Sequence, residues 1–164
     1  MIARGLALVG ALCGSVALSQ YPAFSQQYLQ RLSGAVDELR GVVVAFDTTA
    51  RLSGLTRDEA LRELRGTEIG GGVSETLSNT IRRYERLEDD YARLSGATSL
   101  GRLAQPWRFR DTQLVERTWD DFEPAVPAST TGLAFAGAGF VGGWALVAVV
   151  LGLLTRPFRR RRRA

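Results

Sequence analysis

Histidine and lysine are absent from the 164-residue chain, and cysteine occurs once. Without histidine the chain lacks the usual general base near neutral pH and the commonest metal ligand. A lone Cys13 makes an internal disulfide impossible and excludes a metal site built on cysteines. All 21 basic residues are arginine, a coding bias of a GC-rich genome more than a physical choice. The formal net charge of +4 is unevenly spread. Ser19 to Thr131 carries 14 arginines against all 17 carboxylates, a balance of −3, and the excess lies in Arg4 and in six arginines from Arg156 onward. A charge confined to a tail is no groove across a folded domain, so the basic balance does not indicate a nucleic-acid partner.

Gly132 to Leu154 is a run of 23 residues without a charge. At ~1.5 Å rise per residue it forms a helix of roughly 35 Å, enough to cross a hydrocarbon core of about 30 Å with some tilt. A chain this small and otherwise polar hardly supplies a core wide enough to bury such a helix in water. The tail arginines Arg156, Arg159, Arg160, Arg161, Arg162 and Arg163 follow at once, as a basic stop that determines topology and meets anionic lipid headgroups.

At the other end an apolar run from Gly5 to Leu18 follows Arg4. Its 14 residues are short for a span, but flanking residues extend it to ~19, with Arg4 snorkelling towards the headgroups. A cleavable signal peptide is the competing reading, since Ala17-Leu18-Ser19 has the small-x-small form of a cleavage site. The uncleaved anchor is favoured. A lipoprotein is set aside, because Leu12 before Cys13 is too large for the usual lipobox and the segment upstream is too short. Small residues recur four apart in both apolar segments: Gly10 and Gly14 beside the Ala3, Ala7, Ala11 row, and Gly139 and Gly143 beside Ala134, Ala138 and Gly142. Such a face lets backbones approach closely in lipid, between the two spans or between copies of the protein.

Between the spans the chain reads as helical. Phe24, Tyr28, Leu32, Ala35, Leu39, Val42, Phe46 and Thr49 or Ala50 recur in steps of three and four, the spacing of one helix face. Pro22 fits the first turn. Ser53-Gly54 breaks the helix, and Thr56-Arg57-Asp58-Glu59 has the form of a capping box opening a short helix to about Arg65. Gly66 and the run Gly70-Gly71-Gly72 end that helix as a hinge. A second long helix of about 24 residues carries the stripe Val73, Leu77, Ile81, Tyr84, Leu87 or Glu88, Tyr91 and Leu94, with Arg83 on its outer face. The two long helices are expected to pair antiparallel. A short helix at Leu100 to Ala104, a break at Pro106 and a helix from about Asp111 to Phe122 complete the region, and Ser129 or Thr130 caps the second span. Trp107 is expected to pack against the helical pair, and Phe122 to lie at the membrane interface.

The Gln20-Tyr21-Pro22-Ala23-Phe24 stretch with Gln26 to Leu32, the Gly54-Leu55-Thr56 start, and Arg117 to Pro127 resemble a family of proteobacterial membrane proteins, domain of unknown function 2937. The resemblance covers nearly the whole chain. It implies the two-span architecture and brings no active site and no functional residues.

The architecture expected is all-α: an N-terminal transmembrane anchor (1–21), an exported helical hairpin domain (22–131), a C-terminal transmembrane helix (132–155) and an arginine-rich cytoplasmic tail (156–164). Both termini then face the cytoplasm and the central domain lies in the periplasm of a bacterial inner membrane. The clusters Glu88-Asp89-Asp90 and Asp120-Asp121-Glu123 are the only candidates for a metal or acid/base site. Neighbouring carboxylates on a helix diverge, and neither cluster follows a Ca²⁺-loop pattern, so both read as solvated faces. No catalytic residue, cofactor or metal is expected. The reading is a non-enzymatic envelope scaffold that binds a protein partner or a second copy of itself. The alternative, an accessory subunit of a membrane enzyme or transporter, is disfavoured by the absence of charge within the long span.

Overall fold

The computed structural model describes the backbone of residues 2–124, 126 and 128–160, and the side chains of 3–124, 126 and 128–154. Every element among them is helical: α1 (Ile2–Ser19), α2 (Tyr21–Leu52), α3 (Arg57–Arg65), α4 (Glu68–Ser95), α5 (Ser99–Leu103), a 3-10 turn (Pro106–Arg108), α6 (Thr112–Asp120) and α7 (Thr130–Arg160). They fall into two units, one made of Met1–Gln26 with Asp121–Ala164, the other of Gln27–Asp120.

The second unit is organised by α2 and α4. Tyr28, Leu29, Leu32 and Val36 of α2 form one core cluster with Leu87 and Leu94 of α4 and Leu114 of α6. A smaller cluster joins Val43 to Leu61 and Ile81. Residue numbers rise along α2 as they fall along α4, so the two helices run antiparallel. Burying a Leu or Val side chain fully is worth about 1.5–3 kcal/mol, which makes these clusters the main source of the unit's stability.

The α2 seam departs from the sequence reading at one point: Val43 is buried where Val42, half exposed, was expected. Leu29, Val36, Val43 and Ala50 are all buried and recur every seven residues, two turns at a time, so the seam follows that row and passes Val43 rather than Val42. Trp107 is also corrected, for it is 63% exposed rather than packed on the helical pair. The 3-10 turn that carries it turns Phe109 inward instead, against Tyr28 at a ring-centroid distance of 4.6 Å.

Local capping follows the sequence closely. Helix α2 ends at Gly54, whose φ of 75° only glycine adopts without strain. The Gly54 N–H bonds to the Arg51 carbonyl and the Leu55 N–H to the Ala50 carbonyl, the paired bonds of a Schellman ending. Thr56 and Glu59 exchange both bonds of the capping box ahead of α3.

Gly70-Gly71-Gly72 is not a hinge. All three lie within α4, because Thr67 caps that helix by accepting from the Gly70 N–H at 3.0 Å. A Cβ on Gly70 would collide with the Leu64 carbonyl and the Thr67 hydroxyl. Glycine is needed there for a close approach of two backbones, and flexibility is not its role. Helix α3 then lies on α4, with the buried Ser74 hydroxyl donating to the Leu61 carbonyl at 2.8 Å.

In the first unit α1 lies against α7. Both α7, over Thr130–Leu154, and the N-terminal helical run are long and apolar enough to cross a membrane. Ser129 caps α7, accepting from the Gly132 N–H at 3.0 Å. Tyr21 stacks on Phe135, and Phe24 meets Phe122 edge-on, both at 5.8 Å between ring centroids.

Candidate functional site

Three neighbouring carboxylates on α4 diverge, about 100° apart around the axis. Glu88 accepts from Arg40 at 3.2 Å and from the Tyr84 hydroxyl at 2.6 Å. Asp89 meets Arg108 at 2.8 Å, with Arg93 beside it at 3.6 Å. Asp90 is 1% exposed and accepts from Arg108 at 2.9 Å and Arg110 at 3.2 Å. The solvated-face reading therefore fails for Asp90, which is a core residue held by two guanidinium groups, while Asp120, Asp121 and Glu123 are exposed.

The arginines reach Asp90 because the chain between the 3-10 turn and α6 is not helical. Arg108 ends the 3-10 turn and Arg110 lies two residues on; both guanidinium groups reach Asp90, while Phe109 between them packs against the core. Asp111 follows, bound by Arg83 through two bonds of 3.0 and 3.1 Å and capping α6 by accepting from the Leu114 N–H at 3.1 Å. Arg83 was expected on the outer face and is instead a partner within the unit. Next to this network, Arg83, Arg86 and Arg110 line an open cleft of about 390 Å³.

The charges shape the titration of their neighbours. Burial, then the charges of Asp111 and Asp90, push the Tyr28 hydroxyl above its usual range. Hydrogen bonds from Arg108 to Asp89, from Arg57 to Asp47 and from Thr56 to Glu59 hold those three carboxyls below theirs. A carboxyl depressed on folding contributes stability above its unfolded value, about 3.9 for Asp and 4.3 for Glu, and that stability is lost as pH falls through the folded value. With no histidine to titrate, the melting temperature in detergent should be flat between about pH 5 and 8 and fall progressively below about pH 4. A melting temperature that rises on acidification below that point would contradict the network.

Of the glycines singled out in the sequence, Gly10 lies opposite Gly143 and Gly14 opposite Gly139. A Cβ on Gly14 would strike the Gly139 carbonyl oxygen and come to 3.1 Å of the Gly143 Cα; one on Gly10 would strike Val147 and lie 3.1 Å from the Gly143 carbonyl. Numbers rise on one helix as they fall on the other, so α1 and α7 are antiparallel. Ala7 and Ala11 are buried beside them, whereas Ala134, Ala138 and Gly142 are exposed. The side chains of Arg156, Arg159 and Arg160, and the whole of Arg161, Arg162 and Arg163, lie outside the described residues.

A sequence model of one protein family matches residues 2–160. The chain belongs to that family, described as protein of unknown function (DUF2937). No curated protein and no solved structure matches it. The Asp90 network was missed in the DUF2937 chain's sequence because its members are 18–20 residues apart. The one local signal was Arg108-Phe109-Arg110-Asp111, an aromatic residue among charged ones in the break after Pro106.

Proposed function

We propose that this protein is an integral membrane protein in which α1 and α7 cross a bacterial inner membrane as an antiparallel pair, both termini cytoplasmic and the second unit periplasmic. Its role on this reading is that of a non-enzymatic envelope scaffold that binds a protein partner. The observation that carries insertion is the inverted packing of the first unit. Glycine and alanine fill the contact between the helices, while Leu6, Leu8, Leu12 and Val16 of α1 and Val141, Leu146, Val149 and Leu153 of α7 face outward. A water-soluble pair would hide those large side chains; in lipid, helices associate through small residues and leave the large ones to the acyl chains.

The antiparallel arrangement places the start of α1 and the end of α7 at the same end, and the arginine tail assigns that end to the cytoplasm by the positive-inside rule. A reporter active only in the exported compartment is expected to work when inserted at the exposed Ser53-Gly54 turn and to fail after Ala164. The reverse pattern would overturn the orientation, and recovery of the protein in the soluble fraction after membranes are pelleted would overturn insertion itself.

A further inference from the structure

Arg83, Arg86, Leu87 and Asp90 share a face of α4, since three- and four-residue steps on a helix return to the same side. Facing them across the cleft is Arg110 to Gln113. Both carboxylates in the lining are already engaged, Asp90 with Arg108 and Arg110, Asp111 with Arg83 and the Leu114 N–H. Arg86 is exposed and has no hydrogen-bond or ion-pair partner among the described residues. Three arginines thus stand against two engaged carboxylates, with Thr112 and Gln113, both of which carry donor groups, completing the lining.

This composition discriminates between ligand classes. A cation would find no free carboxylate, and an apolar ligand would find little beyond Leu87. The volume of about 390 Å³ exceeds what a bare ion fills and falls within the range of small-molecule clefts. Arginine presents parallel N–H groups that match phosphate oxygens two at a time. Arg86, the outer edge of Arg110, Thr112 and Gln113 together supply more donors than the two oxygens of a carboxylate accept, and they suit the three terminal oxygens of a phosphate group. We propose that this cleft binds a phosphomonoester, either a small free one or the terminal phosphate of a lipid such as phosphatidic acid, with Arg86 as its principal ligand. The inference stands on the second unit alone and is independent of membrane insertion.

The full chain in maltoside micelles would be titrated with glycerol 1-phosphate, and separately with micelles doped with short-chain phosphatidic acid. Sodium acetate and sodium chloride at matched ionic strength serve as references, and the side-chain N–H resonances of the arginines report binding. Saturable binding of either phosphate, weakened about tenfold by Arg86→Gln and unchanged by Arg62→Gln, is expected. Response to the ester supports a free ligand, and response to the doped micelles alone supports a headgroup. Arg86 is exposed, so its replacement leaves the fold intact and the comparison readable. Absence of a saturable response to both probes, a response that survives Arg86→Gln, or acetate binding as well as phosphate would each overturn the proposal.

Discussion

Ile81→Asp is expected to cost the second unit several kcal/mol and to open it to protease. Ile81 is 7% exposed and packs with Val43 and Leu61. Aspartate there loses the packing of a buried β-branched side chain and sets a carboxylate among apolar groups with no donor; together these amount to about 3–5 kcal/mol. A domain of this size has a stability of only about 5–15 kcal/mol. Chemical denaturation followed by circular dichroism gives the loss, and limited proteolysis locates it. Arg83→Asp, two residues on, is also expected to be damaging, because it removes both bonds to Asp111 and puts a second carboxylate beside one that is only 13% exposed. Its cost should be about 1–3 kcal/mol. Arg82, which is exposed and bonds only to Asn79, is the control, and Arg82→Gln should stay within about 0.5 kcal/mol. Equal protease resistance of Ile81→Asp and Arg82→Gln would contradict the α2–α4 core.

Gly14→Leu is expected to drive α1 and α7 apart. The new Cβ would collide with the Gly139 carbonyl oxygen, which is backbone and cannot swing aside as a side chain would. Helix axes that touch through glycine must then move outward by about 2 Å, towards the spacing set by larger side chains. Spin labels on the exposed native Cys13 and on Val141→Cys, in nanodiscs, should report a narrow distance distribution in the parent. In Gly14→Leu it should be longer and broader. Gly5→Leu adds the same bulk to the same helix where nothing lies within 4 Å, and it should leave the distribution unchanged. If both variants behave alike, the glycine contact does not hold the pair together.

The elements set by neighbouring residues were legible in the sequence. The Thr56 capping box, the Gly54 ending and the stripe through Ile81, Leu87 and Leu94 each rest on groups within about one helical turn of one another. Expectations failed where the deciding contact lies beyond a residue's own helical turn or in irregular chain. Gly70-Gly71-Gly72 looks like a breaker until Leu64 is known to press on Gly70. Arg83 and Asp90 look solvated until Asp111, Arg108 and Arg110 are brought to them from 18–28 residues away. Trp107 was expected to pack against the helical pair, whereas the 3-10 turn leaves it exposed and Phe109 packs on the core. Periodicity reports which face of a helix is apolar. It carries no information on which charge on the polar face meets another.

The first unit is discontinuous in the chain, and this gives its assembly an order in time. Roughly 110 residues separate the end of α1 at Ser19 from the start of α7 at Thr130. At a synthesis rate of about 5–20 residues per second, α1 is made several seconds before the helix it packs against. During that interval Gly10 and Gly14 present an open docking strip, and any other helix with a matching row of small residues competes for it. The intervening helices build their core from one another's side chains and can fold while α1 waits, so ribosome pausing within α2 to α6 would lengthen the competition, and faster translation would shorten it.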